Sequence, residues 1–222
     1  MIQKYLQRKH VVRYKSDVIP DHMVKHLLEK TWQLTSSKNN YMPYSVHVLG
    51  PDKGAQKIKI YEKCIERQNE NENNANKNKI DLGWNYNHVK HNSHLLIFTT
   101  RVCEPNLYNK RQIRQGHFAS EIHEEIVNDL SSTCAPIEVG MFAQNLTNFC
   151  MLEDIDVSFC VCFSKRRQDW KEFPFIKNTL VMIMSLGYGK LYYWDKLKNL
   201  GVRPKDNLKP EIDEVVKWAW KD

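Results

Sequence analysis

The chain has 222 residues, a formal net charge of +7, and hydrophobic and aromatic shares of 41% and 11%. A chain of this length can bury one sizeable core, and this composition is that of a globular rather than a disordered protein. No apolar run approaches the roughly 20 residues of a membrane-spanning helix, and the first residues lack the apolar stretch of a signal peptide. We therefore expect a single domain over residues 1–222, in the cytoplasm and without a membrane partner.

The positive charge is dispersed along the chain. Basic proteins gain affinity for nucleic acids by releasing counterions from the phosphate backbone. Here Lys and Arg form no sustained block, and no stacking motif of the RNA-binding type accompanies them. The charge could equally serve a phosphorylated cofactor, so a nucleic-acid-binding module is only an alternative.

The first predicted helix begins at Pro20 and Asp21, because proline and a carboxylate both favour the first turn of a helix. Apolar residues then recur at helical spacing as far as Trp32, and we expect all of them to face the core. The helix ends at a polar segment, Thr35–Tyr44. The alternating residues Tyr44–Leu49 predict a strand that Gly50 and Pro51 close.

A second helix is predicted from about Lys53 to Arg67, with Ile58, Tyr61, Cys64 and Ile65 as its buried stripe. The polar segment that follows, residues 69–79, is too hydrophilic to bury, so we interpret it as a mobile loop inserted in the domain.

An aromatic and amide cluster, residues 84–88, then precedes the predicted strand His94–Thr100, and its amides suggest the wall of a pocket. His88, His91 and His94 are spaced three residues apart. No helical pattern places them on one face and no acids lie nearby, so we expect no metal site.

The second half of the chain predicts helices at about residues 118–130 and 136–150, and a short one from Pro210. In the helix over residues 136–150, Gly140 and Ala143 would permit close approach of a neighbouring helix. Two nearly continuous apolar runs, Val157–Phe163 and Thr179–Leu186, predict strands in the middle of a sheet. Cys160 and Cys162 alternate in the first run, so we expect them to share one face as small apolar fillers.

Two polar regions are the candidates for binding an anion. The segment Thr35–Tyr44 carries hydroxyl, amide and ammonium groups on consecutive residues, more than a short turn needs. Arg8, Lys9 and His10 lie upstream of it, and further basic residues occur in the C-terminal tail. A solvated loop and a solvated tail are the simpler interpretations, but the pairing favours convergence on one anion.

The order of these features resembles the FMN-dependent nitroreductase family over almost the whole chain. The features are a basic opening, a helix, the TSSKNN loop, a strand, the aromatic-amide cluster, a strand, a long buried helix, two strands ending in LGYG, and a basic tail. The resemblance implies an α+β fold, a three-layer α/β/α sandwich whose central, mostly antiparallel sheet is flanked by helices.

The resemblance also implies which residues hold the flavin phosphate. Arg8 and Lys9 match the first two positions of the family's opening phosphate-binding segment, and His10 stands where serine is usual. Val12 stands where a basic residue normally approaches the flavin ring. At the other end of the chain, Arg203 and Lys205 match the basic pair that clamps the phosphate.

Three further segments are implied to surround the flavin ring. The family's serine-rich loop reaches the ring across a dimer interface, and it corresponds here to Ser36, Ser37 and Asn39, although the usual preceding proline and the glutamine are missing. Asn85 matches an amide at the pyrimidine edge, with His88 in place of a nearby lysine. The segment that covers one flavin face corresponds to Val161 and Cys162.

These matches predict an enzyme: a homodimeric FMN-dependent oxidoreductase that uses NAD(P)H to reduce a small acceptor such as a nitroaromatic, quinone or flavin. Because the cofactor carries the hydride chemistry, no side chain needs to act as a catalytic acid or base. One alternative is a protein of the same fold that binds flavin without turnover, and another is the basic nucleic-acid-binding module.

Overall fold

The computed structural model describes residues 9–75, 88–104, 106–116, 133–193, 195, 210 and 212–216. The helices are α1 (Asp21–Leu34), α2 (Gly54–Ala75), α3 (Leu107–Arg114), α4 (Ala135–Leu152) and α5 (Ile212–Val215). The strands are β1 (Val11–Tyr14), β2 (Tyr44–Leu49), β3 (His94–Thr100), β4 (Asp156–Cys160), β5 (Leu180–Gly187) and β6 (Gly189–Tyr192). Among the helices in these ranges, none is both long enough and apolar enough to cross a membrane.

The central sheet has four strands in the order β2-β3-β5-β4, and all three pairings are antiparallel. A second, two-stranded sheet pairs β1 with β6, also antiparallel. The predicted bounds of β2 and β3 are confirmed, and β5 begins and ends one residue later than predicted. Strand β6 was not predicted.

Two hydrophobic cores cover the two faces of the central sheet. One core packs the sheet against α1 and α4, and it includes Val24, Leu27, Leu96, Phe98, Phe142, Leu146, Val157, Met184 and Leu186. The other packs the sheet against α2 and residues 163–176, and it includes Ile60, Cys64, Leu95, Ile97, Phe163, Trp170, Phe173, Leu180 and Ile183. The sheet is therefore the middle layer, which confirms the predicted α+β three-layer sandwich.

Strand β4 lies at the edge of the sheet, so the prediction of a central position was wrong. It pairs with β5 on one side only, while on its other side Ser158 Oγ donates a hydrogen bond to the carbonyl of Val11 in β1. The apolar run arises because Val157 packs into one core and Cys160 against the other. A continuous apolar pattern reports burial on both faces, which an edge strand can also have.

The buried faces of α1 and α2 differ from the predicted ones. Trp32 is 58% exposed, and the buried residue of that turn is Thr31, whose hydroxyl donates to the carbonyl of Leu27. On α2, Ile58 is 43% exposed whereas Lys57 and Ile60 are buried. Lys57 buries its aliphatic stem and donates Nζ hydrogen bonds to the carbonyls of two residues before β3, at 3.2 and 3.0 Å.

Other expectations need correction. Helix α2 continues to Ala75, so the first seven residues of the predicted loop at 69–79 are helical. Gly140 is exposed and a Cβ there would meet nothing within 4 Å, so it mediates no close helix approach within the described structure.

Helix α3 was not predicted. The predicted helix at residues 118–130 lies outside the described residues, and α5 begins two residues after Pro210.

Candidate functional site

The pairing of β1 with β6 positions the N-terminal basic residues. The Tyr193 amide donates a hydrogen bond to the carbonyl of His10 at 2.8 Å. Lys9 Nζ lies 5.1 Å from the centre of the Tyr192 ring, a cation-π contact. The His10 ring is edge-on to two rings, those of Tyr193 at 6.0 Å and His88 at 5.9 Å between centroids. The structure therefore brings His10 next to His88 and places Lys9, the preceding residue, over Tyr192.

His88 is buried, and both of its ring nitrogens lie against protein atoms. Nδ1 is 2.8 Å from Ser185 Oγ, and Nε2 is 3.1 Å from the carbonyl oxygen of Phe159. Burial, together with the neighbouring His10, lowers the pKa of His88 to about 3, so the ring is neutral and carries one proton. Since a carbonyl can only accept, Nε2–H donates to Phe159 and Nδ1 accepts from the Ser185 hydroxyl. His88 is therefore a buried structural residue and has no ring nitrogen left for a ligand.

The end of β4 adds a third side to this cluster. The Phe159 carbonyl that accepts from His88 directly precedes the segment Cys160–Cys162. Val161 and Cys162 lie beyond the strand and are exposed, so Cys160 and Cys162 are not the pair of core fillers that the alternation predicted. A hydrogen bond with Cys160 raises the pKa of the exposed Cys162 thiol, which keeps it protonated and weakly nucleophilic at neutral pH.

Asp156 and Ser185 support this cluster and were missed in the sequence. Asp156 Oδ2 accepts a hydrogen bond from the Gly189 amide at 2.8 Å, which fixes the start of β6. The Ser185 carbonyl accepts from the Tyr14 hydroxyl at 3.0 Å, so β1 is tied to the sheet. A serine inside the apolar run of β5 was the available signal, because a polar side chain in a buried strand needs a partner.

The TSSKNN loop is rigidly anchored. Residues Lys38–Asn40 form one 3₁₀ turn, in which the Lys38 amide donates to Glu138 Oε1 at 3.0 Å. The Ser37 hydroxyl accepts from the Met42 amide at 2.8 Å. Asn40 and Met42 have positive φ angles of 55° and 47°, a conformation that costs about 1–3 kcal/mol per non-glycine residue. The surrounding anchors hold this conformation and leave Ser36 and Lys38 exposed.

Residues distant in the chain complete the anchoring of the TSSKNN loop. Arg101 Nη2 donates to the carbonyl of Met42 at 2.9 Å, and Asn109 of α3 donates its side-chain amide to the Tyr41 hydroxyl. Glu138 of α4 is 4% exposed, and its Oε2 has no hydrogen-bond partner in the described part of the chain. Burial, and then the charge of Glu138, raise the pKa of the neighbouring Tyr44 hydroxyl.

Within one chain, the TSSKNN loop and the cluster around His88 lie toward opposite ends of the central sheet. The loop leads into β2 at Tyr44, the first residue of that strand. His88 contacts Ser185 in β5, which pairs with Leu95 in β3, and Leu95 pairs with Leu49 at the last residue of β2. Five strand residues at about 3.3 Å each separate these positions by roughly 17 Å. Ser36 and Ser37 are therefore not brought to Lys9, His10 and His88 by the fold of a single chain.

Arg8, Asn85, Arg203 and Lys205 lie outside the described residues, as does the side chain of Asn39. A groove of about 470 Å³ lies elsewhere, between α1, the end of β2 and His94. None of the predicted ligand-binding residues lines it, and its rim charges pair with each other, as in Lys53–Asp52 at 2.8 Å. Within the described part of the chain, no cluster of three or more His, Cys, Asp or Glu side chains is arranged to hold a metal ion.

Comparison with known proteins gives one family and a consistent set of folds. The sequence model of the nitroreductase family matches residues 5–188. No curated protein matches.

Three solved structures illustrate the fold likeness. A candidate NAD(P)H:FMN oxidoreductase from Staphylococcus epidermidis has a TM-score of 0.62 at 15% identity, covering 98% of this chain and 94% of its own. A nitroreductase-like protein from Streptococcus mutans has a TM-score of 0.62 at 14% identity, covering 98% and 99%. A candidate nitroreductase from Exiguobacterium sibiricum, solved in complex with FMN, has a TM-score of 0.59 at 13% identity, covering 98% and 96%.

These TM-scores establish a shared fold despite the low sequence identities, and the family match extends over most of the chain, from the basic N-terminal segment through β5. The described structure has the three-layer architecture that the resemblance implied. The chain belongs to the nitroreductase family.

Proposed function

We propose that the protein is an FMN-dependent oxidoreductase that oxidises NAD(P)H, reduces a small acceptor such as a nitroaromatic, quinone or flavin, and works as a homodimer. Family membership and a structural neighbour solved with FMN support this proposal. The observation that carries it is the position of the two predicted half-sites, which lie toward opposite ends of the sheet in one chain. Two copies can bring the loop of one to the basic segment of the other.

The described residues fit a flavin nucleotide. Its phosphate is an anion that needs charged donors, and Lys9 is an exposed cation held in place by Tyr192. Its ring is flat and largely apolar, and Val161 offers an exposed apolar side chain two residues after Phe159, whose carbonyl bonds His88. The anchored loop presents Ser36 and Lys38 as polar groups for a neighbouring chain.

The roles of this chain's residues follow from that fit. Arg8, Lys9, Arg203 and Lys205 would neutralise the phosphate, and Asn85 would bond the edge of the ring. His88, neutral and fully occupied by protein partners, adds no charge to the site. Val161 and Cys162 would cover one face, while Ser36, Ser37 and Asn39 of a second copy would contact the ring edge. FMN, when bound, would supply the hydride chemistry itself.

The test is the chromophore of the purified protein. We expect a flavin absorbance band, FMN as the released compound, and steady-state oxidation of NADH or NADPH. Arg8→Ala combined with Lys205→Ala should weaken FMN binding by about tenfold or more, because each charge-assisted hydrogen bond contributes about 1.5–3 kcal/mol. Lys30→Ala, on the exposed side of α1, is the control and should retain flavin.

Two outcomes would change the assignment. A colourless protein that does not take up added FMN would remove the basis of the proposal. A protein that binds FMN but oxidises neither nucleotide would instead be the flavin-binding protein without turnover. Unchanged flavin retention in the Arg8→Ala/Lys205→Ala variant would refute the phosphate roles alone.

A further inference from the structure

Helix α3 carries an exposed face that the proposed flavin site does not use. Its residues at positions i, i+3, i+4 and i+7 lie on one side of the helix. That side consists of Leu107, Lys110, Arg111 and Arg114, all exposed, with Leu107 at 87%. No ion pair joins Lys110, Arg111 or Arg114 to an acid within the described ranges.

The clustering of these cations costs stability. Like charges at i,i+3 or i,i+4 destabilise a helix, and an isolated eight-residue helix is not stable in water. Arg111 and Arg114 lie in the last turn, where cations interact favourably with the helix dipole. That effect accounts for one or two cations and not for a third on the same face, nor for the exposed Leu107.

The opposite side of α3 connects the helix firmly to the TSSKNN loop. Asn109 is 7% exposed and donates its side-chain amide to the Tyr41 hydroxyl. Its backbone amide donates to the side chain of the N-cap residue Asn106 at 2.9 Å. Cys103, just before the helix, donates its thiol to the Tyr41 carbonyl at 3.4 Å. The loop and α3 are therefore held together, so a molecule that contacts the loop also lies close to α3.

We propose that this face of α3 binds the ribose 2′-phosphate of NADPH and makes NADPH the preferred reductant. The inference rests on the proposed function, in which the loop of one protomer borders the flavin of the other. Because α3 is bonded to that loop, a reductant that reaches the flavin would have the cationic face of α3 available for its anionic end. Arginine pairs with phosphate through two parallel hydrogen bonds, and NADH lacks the 2′-phosphate. Leu107 and the exposed Tyr108 offer an apolar surface for the adenine ring.

Binding of 2′,5′-ADP to the flavin-loaded protein tests the proposal without requiring turnover. We expect wild type to bind 2′,5′-ADP more tightly than 5′-AMP in titration calorimetry. The Arg111→Gln/Arg114→Gln variant should lose at least about tenfold in 2′,5′-ADP affinity, as expected for losing charge-assisted hydrogen bonds, with little change for 5′-AMP. Arg167→Gln, an exposed arginine on another element, is the matched control and should behave as wild type.

Flavin reduction in a stopped-flow instrument provides the second readout. The double variant should lose its preference for NADPH while its limiting rate with saturating NADH stays within about twofold of wild type. If the arginines only stabilise the helix, both nucleotides will be affected equally and the preference will persist, which overturns the proposal. Equal binding of 2′,5′-ADP and 5′-AMP by wild type would also overturn it. A protein that binds 2′,5′-ADP as expected but reduces its flavin with neither nucleotide would contradict the proposed function instead.

Discussion

His88 shows how its surroundings decide what a single residue can do. As an isolated residue in the sequence it could donate to a flavin, titrate near neutral pH or ligate a metal. In the fold it is buried between Ser185 and the carbonyl of Phe159, and both nitrogens are used. Burial lowers its pKa to about 3, so the side chain contributes an uncharged, fixed surface.

This environment predicts a pH dependence of stability. The unfolded chain protonates His88 near pH 6.5, whereas the folded protein does not do so until about pH 3. Its contribution to stability is therefore complete above pH 6.5 and is lost as the pH falls towards 3, by at most about 1.4 kcal/mol per pH unit. Denaturant unfolding between pH 4 and 8 should show a smaller loss at low pH for His88→Gln than for wild type.

The control for this experiment is His26→Gln, an exposed histidine on α1. Its unfolding free energy should follow the wild-type pH profile. A His88→Gln profile parallel to wild type would mean that His88 titrates normally in the folded protein.

At the scale of elements, β1 pairs only with β6 among the described strands, and side chains rather than backbone pairing attach it to the central sheet. The Tyr14 ring lies so close to Gly187 that an added Cβ would be 2.6 Å from its Cδ1 atom. The Tyr14 hydroxyl donates to the Ser185 carbonyl from this position. Since Lys9 and His10 directly precede β1, the packing of Tyr14 against Gly187 contributes to where the basic segment lies.

Two glycine substitutions separate this packing from general effects. Gly187→Ala should destabilise the protein by about 1–3 kcal/mol through overpacking and should weaken flavin retention by displacing β1. Gly54→Ala, at the start of α2 where the backbone is already helical and nothing lies within 4 Å, should stabilise it by about 0.4–1 kcal/mol. Thermal unfolding and bound flavin measure both. Equal effects of the two substitutions on stability would show that the Tyr14 ring can move away from Gly187 without a loss of folding free energy.

At the scale of the whole molecule, the helices that carry the anchored loop also expose large apolar side chains. Trp32 and Leu34 of α1 are 58% and 61% exposed, and Ile137 and Met141 of α4 are 61% and 42% exposed. Exposed apolar surface next to a rigid polar loop suits contact with a second copy of the chain. In the proposed homodimer, such a contact would bring together the two predicted half-sites, which are separated by roughly 17 Å in one chain.

Mixed dimers test whether a site takes residues from two chains. One chain carries Arg8→Ala/Lys205→Ala and the other Ser36→Ala/Asn39→Ala, each with its own affinity tag. If the sites are shared, the purified mixed dimer contains one intact site and one doubly defective site, so it should show about half of the wild-type flavin content and turnover per dimer. Mixed dimers no better than the parents would place each site within one chain.

Local patterns in the sequence were sufficient for several parts of this protein. The alternation in β2, the predicted strand His94–Thr100, the start of α1 at Pro20 and Asp21, and the order of motifs that resembles the nitroreductase family led to the correct elements and fold class. These features depend on residues close together in the chain, where side-chain periodicity reflects which face is buried.

Long-range contacts decided the remainder. The edge position of β4, the exposure of Trp32 and the neutral state of His88 depend on which distant segments pack against each residue, and periodicity does not encode that. The sequence by itself determined the family, the helices and strands with strong periodicity, and the candidate groups for an anionic cofactor. Only the tertiary structure decided that the two half-sites lie toward opposite ends of one sheet, because strand order and register set distances that neighbours in sequence cannot set.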